Sequence, residues 1–152
     1  MGRQIHVDLE RTIPAPPARV HAALADYQGR ARILPASYLD WTVEEGGTGA
    51  GTVVSYRLRA GLRERPYRME VAEPTPGVTL VERDRGSSLV TTWIMNPTAS
   101  ATATDLHLST IWEGGGGIGG FFERTFAPRG LRRIHGELLD RLTRQLGAEP
   151  SG

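Results

Sequence analysis

Residues 4–13 alternate, with Ile5, Val7 and Leu9 on one face and His6, Asp8 and Glu10 on the other. A period of two marks a half-buried strand. Pro14 and the Pro16-Pro17 pair stop it, and Pro17 suits the first turn of a helix, where no backbone N–H is needed. Val20, Ala23, Leu24 and Tyr27 follow at helical spacing and predict a short amphipathic helix ending near Gly29. A second short helix or turn is expected over 30–37, around Ile33 and Leu34 and cut by Pro35. Strand-like runs come next. Leu39, Trp41 and Val43 alternate with Asp40, Thr42 and Glu44, before a turn at Gly46, Gly47, Gly49 and Gly51. Val54, Tyr56 and Leu58 form the apolar phase of the next run, and Tyr67, Met69 and Val71 that of the one after Gly61. Pro74, Pro76 and Gly77 turn the chain into a run through Val78, Leu80 and Val81. Leu89 to Met95 and a last strand carrying Leu106, Leu108 and Trp112 complete the series. Strands at near-regular spacing joined by tight turns predict an antiparallel meander.

The period then changes. Leu131, Ile134, Leu138, Leu142 and Leu146 stand three and four residues apart, with Pro128 placed for the first turn and Gly147 for the stop. A helix from about 128 to 146 would be about 28 Å long, enough to cross a small sheet. The sheet has one apolar face and the helix one apolar stripe, so each must bury against the other. The expected class is α+β: a seven-stranded curved antiparallel sheet wrapped on a long C-terminal helix, with two short helices between the first and second strands.

Composition narrows the function more than the fold. A chain of 152 residues fits one domain, expected over 1–147, with 148–152 as a disordered tail. There is no cysteine, which excludes disulfides, thiolate metal sites and a cysteine nucleophile. There is no lysine either, which excludes a lysine Schiff base and a P-loop lysine. The net charge of +1 argues against a general nucleic-acid binder. No apolar run approaches the ~20 residues of a membrane helix, and the N-terminus lacks the apolar core of a signal peptide, so a cytoplasmic protein without stable membrane insertion is expected.

Several stretches together resemble one superfamily. Ile13-Pro14-Ala15-Pro16-Pro17-Ala18-Arg19-Val20-His21 looks like its transition from first strand to first helix, and Gly49-Ala50-Gly51-Thr52-Val53 like its glycine turn. Val71 to Leu80 resembles its fourth-to-fifth strand turn, and Ala103-Thr104-Asp105-Leu106 with the C-terminal helix completes the order. Over residues 4–147 the chain resembles the START/polyketide cyclase superfamily, the helix-grip or SRPBCC fold. The resemblance implies a cavity between helix and sheet for a hydrophobic ligand such as a lipid, sterol, quinone or polyketide intermediate. It brings no fixed catalytic motif and no cofactor, and fold alone is a weak guide to chemistry.

Strand phase singles out the remaining candidates. Glu82 continues the phase of Val78 and Leu80. In a regular strand its carboxylate faces the cavity and can act as general acid or base; if the strand ends or bulges there, it sits at a wet rim. His135, between Leu131 and Leu138, borders the helix stripe. It either faces the cavity and moves a proton near neutral pH or is a boundary histidine with local partners. Tyr56, Tyr67, Met69, Thr91, Trp93, Met95, Thr110 and Trp112 lie in apolar phases and are expected as ligand-binding wall, with simple core packing as the plainer alternative. Phe121, Phe122 and Phe126 follow a glycine-rich run at 114–120 and would guard the mouth of a mobile lid. His6 and His107 read as outward and His21 as lying on the exposed side of the first helix. The four histidines have no metal-ligand spacing, so no metal is expected. Arg57, Arg59, Arg68, Arg83 and Arg85 read as a solvated face, unless one near the rim fixes a ligand carboxylate.

The expected function is binding of a hydrophobic or aromatic small molecule, with cyclase or dehydratase chemistry allowed by the resemblance. A non-catalytic lipid or quinone carrier or sensor is the alternative, and predicts Glu82 and His135 outside an almost wholly apolar cavity. A third reading, an interaction module, predicts a cavity collapsed to a few waters. Oligomeric state is not legible.

Overall fold

The computed structural model describes residues 3–60, 63–114 and 128–148. Strand β1 (Arg3–Ile13) leads into helix α1 (Pro17–Ala25) and a 3-10 turn (Gly29–Arg32). Six strands follow: β2 (Tyr38–Glu45), β3 (Val53–Ala60), β4 (Arg63–Ala72), β5 (Thr79–Asp84), β6 (Val90–Pro97) and β7 (Thr104–Gly114). Helix α2 (Pro128–Ala148) ends the described chain, two residues beyond the expected helix end at 146, so Ala148 is helical. The first helix is shorter than its apolar spacing predicted, because the chain turns at Asp26 and resumes as a 3-10 turn rather than extending to Gly29.

All seven strands form one antiparallel sheet in the order β1-β7-β6-β5-β4-β3-β2. Every pairing except β1 with β7 joins strands consecutive in sequence, as a meander of tight turns requires. The inner face carries the apolar phases read from the sequence: Val7, Val54, Leu58, Met69, Leu80, Trp93, Met95, Leu106, Leu108 and Trp112 are buried. Helix α2 lays its stripe of Leu131, Ile134, Leu138, Leu139, Leu142 and Leu146 on that face. It runs beside β1, where Gly136 faces Leu9 closely enough that a Cβ there would make an ordinary contact at 3.8 Å. Arg11 closes the same contact at the surface through Asp140 at 2.6 Å. This is the helix-grip arrangement, each amphipathic element burying the other's apolar side.

Strand β2 departs from its expected phase. Its pairing with β3 slips between Leu39 and Thr42, and Asp40 has a positive φ of 55°. The irregularity turns over the side chains before it. Tyr38 faces the core and Leu39, expected inward, stays out opposite Arg57, while Trp41 and Val43 keep the inward side expected of them. A β-bulge has this effect because it inserts a residue and breaks the period of two. The arginines Arg57, Arg59, Arg68 and Arg85 are exposed and meet Asp40, Glu64, Glu44 and Glu70 on the outer face. His21 is a second correction. It is half-buried, and its Nε2 lies 2.6 Å from Glu73 Oε1, tying α1 to the β4–β5 loop. That bond, helped by the N–H of Ala50 and opposed by burial, holds the Glu73 carboxyl below its usual range.

Candidate functional site

One cross-strand row on the sheet's inner face brings a carboxylate beside two hydroxyls. Glu82 on β5 pairs with Thr91 on β6, which pairs with Thr110 on β7. The two threonine hydroxyls are 2.9 Å apart and satisfy each other. Glu82, only 7% exposed, is the one member of the row that carries a charge. The strand stays regular through it, so its side chain points inward and not to a rim.

Its partner is Arg30, 3% exposed, from the 3-10 turn. Arg30 Nη2 donates to Glu82 Oε2 at 3.0 Å and to the Leu24 carbonyl at 2.6 Å, where Nε donates as well. The guanidinium lies 4.5 Å from the centre of the Tyr27 ring and 5.1 Å from that of Trp93, a cation held between two π faces. Tyr27 is itself a ligand of the carboxylate, its hydroxyl donating to Oε2 at 2.6 Å. Burial, the largest single effect, opposes the charge on Arg30, but Glu82 together with Tyr27 and Tyr38 outweighs it and raises the pKa. Burial, then the neighbouring Glu82 charge, pushes the Tyr27 hydroxyl far up, so this phenol only donates.

Aromatic rings continue from this pair along the edge of the sheet. Tyr27 stacks on Trp41 with centroids 6.5 Å apart, and Trp41 on Tyr56 at 5.2 Å. Tyr56 meets Tyr38 at 5.2 Å and Tyr67 at 5.6 Å. The bulge in β2 brings Tyr38 into the series beside Trp41, whose Nε1 donates to the Tyr27 carbonyl at 2.8 Å. Burial raises the pKa of Tyr38, Tyr56 and Tyr67, and these rings stay protonated donors across the ordinary pH range.

Sheet and helix enclose a cavity of about 30 Å³ among these groups, room for about two waters. Its wall includes Glu82, Arg30, the aromatics Tyr38, Trp41, Tyr56, Tyr67 and Trp93, and Thr91, Thr110 and Met69. Helix α2 contributes Leu131, His135 and Leu138. His135 is 5% exposed, and burial lowers its pKa from 6.5 to about 4. It is therefore a neutral imidazole at neutral pH, and among the described residues its Nδ1 has no hydrogen-bond partner. Trp93 Nε1 is buried and unpartnered in the same sense.

Of the residues read from the sequence, Glu82, His135, Tyr56, Tyr67, Met69, Thr91, Trp93 and Thr110 come together on this wall. Met95 and Trp112 are fully buried in the core and do not line it. Phe121, Phe122 and Phe126 lie outside the described residues. His6 and His107 sit on the outer face, where His107 meets Asp8 at 3.1 Å. Sequence reasoning put Trp41 in an apolar phase without naming it as wall, and missed Arg30, Tyr38 and the hydroxyl of Tyr27. No sequence signal marked Arg30, whose four-residue turn is too short to show a period. Among the described residues no group of His, Asp and Glu side chains could hold a metal ion, and no helix is long and apolar enough to cross a membrane.

The same architecture occurs in solved structures. The KanY protein, solved by NMR, is 40% identical, with 96% of this chain and 99% of that one covered and a TM-score of 0.84. A protein from Thermus thermophilus is 22% identical over 96% of this chain and all (100%) of its own, with a TM-score of 0.78. The Zhui aromatase/cyclase of Streptomyces sp. R1128 is 19% identical over 94% of this chain and 96% of its own, with a TM-score of 0.68. No curated protein matches the sequence. The family described as polyketide cyclase / dehydrase and lipid transport matches residues 4–147, and this chain, a helix-grip domain of the SRPBCC superfamily, belongs to it.

Proposed function

We propose that the protein binds a hydrophobic, aromatic small molecule between the sheet and α2, and acts on it as a cyclase or dehydratase. One observation carries the reading: aromatic rings and a buried Arg30–Glu82 pair converge on a single cavity, opposite a buried neutral histidine. Apolar walls with a few convergent polar groups are what small-molecule sites are made of. A pure carrier needs no ion pair in its lining, so the inward placement of Glu82 and His135 favours chemistry over transport.

The roles divide by protonation. The buried tyrosines are donors only, since their hydroxyls titrate well above neutral pH. His135, with its pKa near 4, is a weak base at neutral pH and suits hydrogen bonding to a ligand. Glu82 is the group left to accept a proton, with Arg30 to steady the charge. The cavity would supply the rest by holding a flexible substrate in one folded geometry.

The interaction-module reading has one observation in its favour, the cavity's small volume. A ligand larger than about two waters requires side chains of the wall to move. Native mass spectrometry separates the two readings. Incubation with a mixed library of lipids, quinones and aromatic polyketides is expected to give a retained aromatic ligand. Its turnover should fall on Glu82→Gln, and more weakly on His135→Ala. A folded protein that retains nothing from the library moves the reading to the interaction module.

A further inference from the structure

The Arg30–Glu82 pair is only half used. Both bonds to the carboxylate, from Tyr27 and from Arg30, fall on Oε2, and among the described residues Oε1 accepts none. Arg30 spends Nε and Nη2 on Leu24 and Glu82, and among the described residues Nη1 donates to nothing. A guanidinium has five N–H donors and a carboxylate about four acceptor sites, so both ends of the pair keep capacity in reserve. Both residues line the cavity and both are more than nine-tenths buried. Buried polar groups are as a rule satisfied, and open capacity at a cavity wall points to a ligand that completes it.

We propose that Arg30 and Glu82 form a two-point anchor that selects ligands whose polar end is neutral and presents an acceptor beside a donor, such as a primary amide, a lactam or a hydroxy-enone. The acceptor meets Arg30 Nη1 and the donor meets Glu82 Oε1. Neutrality follows from charge balance. The guanidinium and the carboxylate already compensate each other, and an anionic ligand would bring a buried charge with no counter-charge. A ligand with an acceptor alone satisfies Arg30 and leaves Oε1 without a donor. The ring system attached to this end would pack against the aromatic rings of the cavity wall, Tyr38, Trp41, Tyr56 and Tyr67. This selection deepens the proposed binding function and rests on it.

Three probes of one shape test it by NMR titration of the whole chain: 2-naphthamide (neutral, acceptor and donor), 2-acetonaphthone (neutral, acceptor only) and 2-naphthoate (anionic, acceptors only). One extra hydrogen bond to a charged group should make 2-naphthamide about tenfold tighter than either of the others. Glu82→Gln removes the counter-charge, so the order should reverse in favour of 2-naphthoate, a change that lost packing alone would not produce. Should that variant fail to fold, Tyr27→Phe/Arg30→Met/Glu82→Leu replaces the whole buried set by apolar groups of similar shape. That variant should bind amide and ketone equally. Equal affinity of the native chain for all three probes, or an unchanged order in either folded variant, overturns the anchor and leaves the binding reading standing. No perturbation by any probe overturns the binding reading, and the anchor with it.

Discussion

Glu82 and Arg30 sit 52 residues apart in sequence and 3.0 Å apart in space. A buried pair of this kind is unforgiving of losing one member, because the other stays charged in a medium that solvates it poorly. Glu82→Ala is expected to destabilise the fold by about 3–5 kcal/mol, read from urea unfolding. Arg57→Ala, which breaks even closer ion pairs on the solvent face, should leave the midpoint where it is. His135 makes a pH prediction of definite sign. Its folded pKa is lowered from 6.5 to about 4 by burial, so between those values the unfolded chain binds a proton that the folded chain does not. Its neutral burial is fully compatible with folding above pH 6.5, and stability falls as the pH drops through 6.5 toward 4, by up to about 3 kcal/mol. His135→Leu should remove that slope in unfolding midpoints measured at pH 7 and pH 5. An unchanged slope would place the acid sensitivity elsewhere.

At the scale of elements, two irregular segments shape the cavity. The bulge at Asp40 turns Tyr38 inward beside Trp41, and the glycine turn after β2 holds α1 against the sheet through Tyr27 N to the Gly47 carbonyl at 2.9 Å. Gly49 and Gly51 both have positive φ, 59° and 90°, so alanine is strained at either. They differ in space. A Cβ at Gly49 would stand 2.3 Å from Glu73 Oε2, whereas at Gly51 it would meet nothing within 4 Å. Glu73 is the residue that binds both His21 and the Ala50 N–H. Gly49→Ala should therefore lower Tm more than Gly51→Ala, and the excess should shrink when Glu73→Ala is added. Equal losses would mean that Glu73 moves aside freely. The long helix is simpler, and Leu142→Ala, at a fully buried position, should cost about 2–5 kcal/mol.

Over the whole molecule, one pairing joins the first strand to the last. β1 and β7 lie at opposite ends of the strand series and run in register from Arg3 with Gly114 to Ile13 with Thr104. The Thr104 hydroxyl adds a buried bond to the Ala15 carbonyl at 2.8 Å. Helix α2 then rests on β1, so the last element folds onto the first. Ending the chain after Glu137 would strip Leu138, Leu139, Leu142 and Leu146 from the inner face. Such a chain is expected to lose cooperative thermal unfolding; a sharp transition by circular dichroism would show that the sheet stands without its helix.

Much of this was legible before any coordinates. Strand phases and the helix stripe follow from periods of two and 3.6, which are local properties of the backbone. The inward phase of Tyr56, Tyr67, Met69, Thr91, Trp93 and Thr110 could be read from alternation alone, and Glu82 could be placed in phase with Val78 and Leu80. Three things were beyond that reach. A bulge is a change of phase with no compositional mark, so alternation places Trp41 correctly but puts Leu39 on the inner side that Tyr38 takes. A 3-10 turn of four residues is too short for any period, so Arg30 carried no sign that it was buried. An ion pair between a turn and a strand depends on how the sheet curves over α1, and the cavity's volume depends on how far the rings pack into the space between sheet and α2. The amino-acid order by itself determined which faces must be buried, because burial of apolar side chains at a fixed period is a local requirement. Only the tertiary structure decided which charged groups went in with them, because a buried charge is tolerable only where a distant partner arrives to meet it.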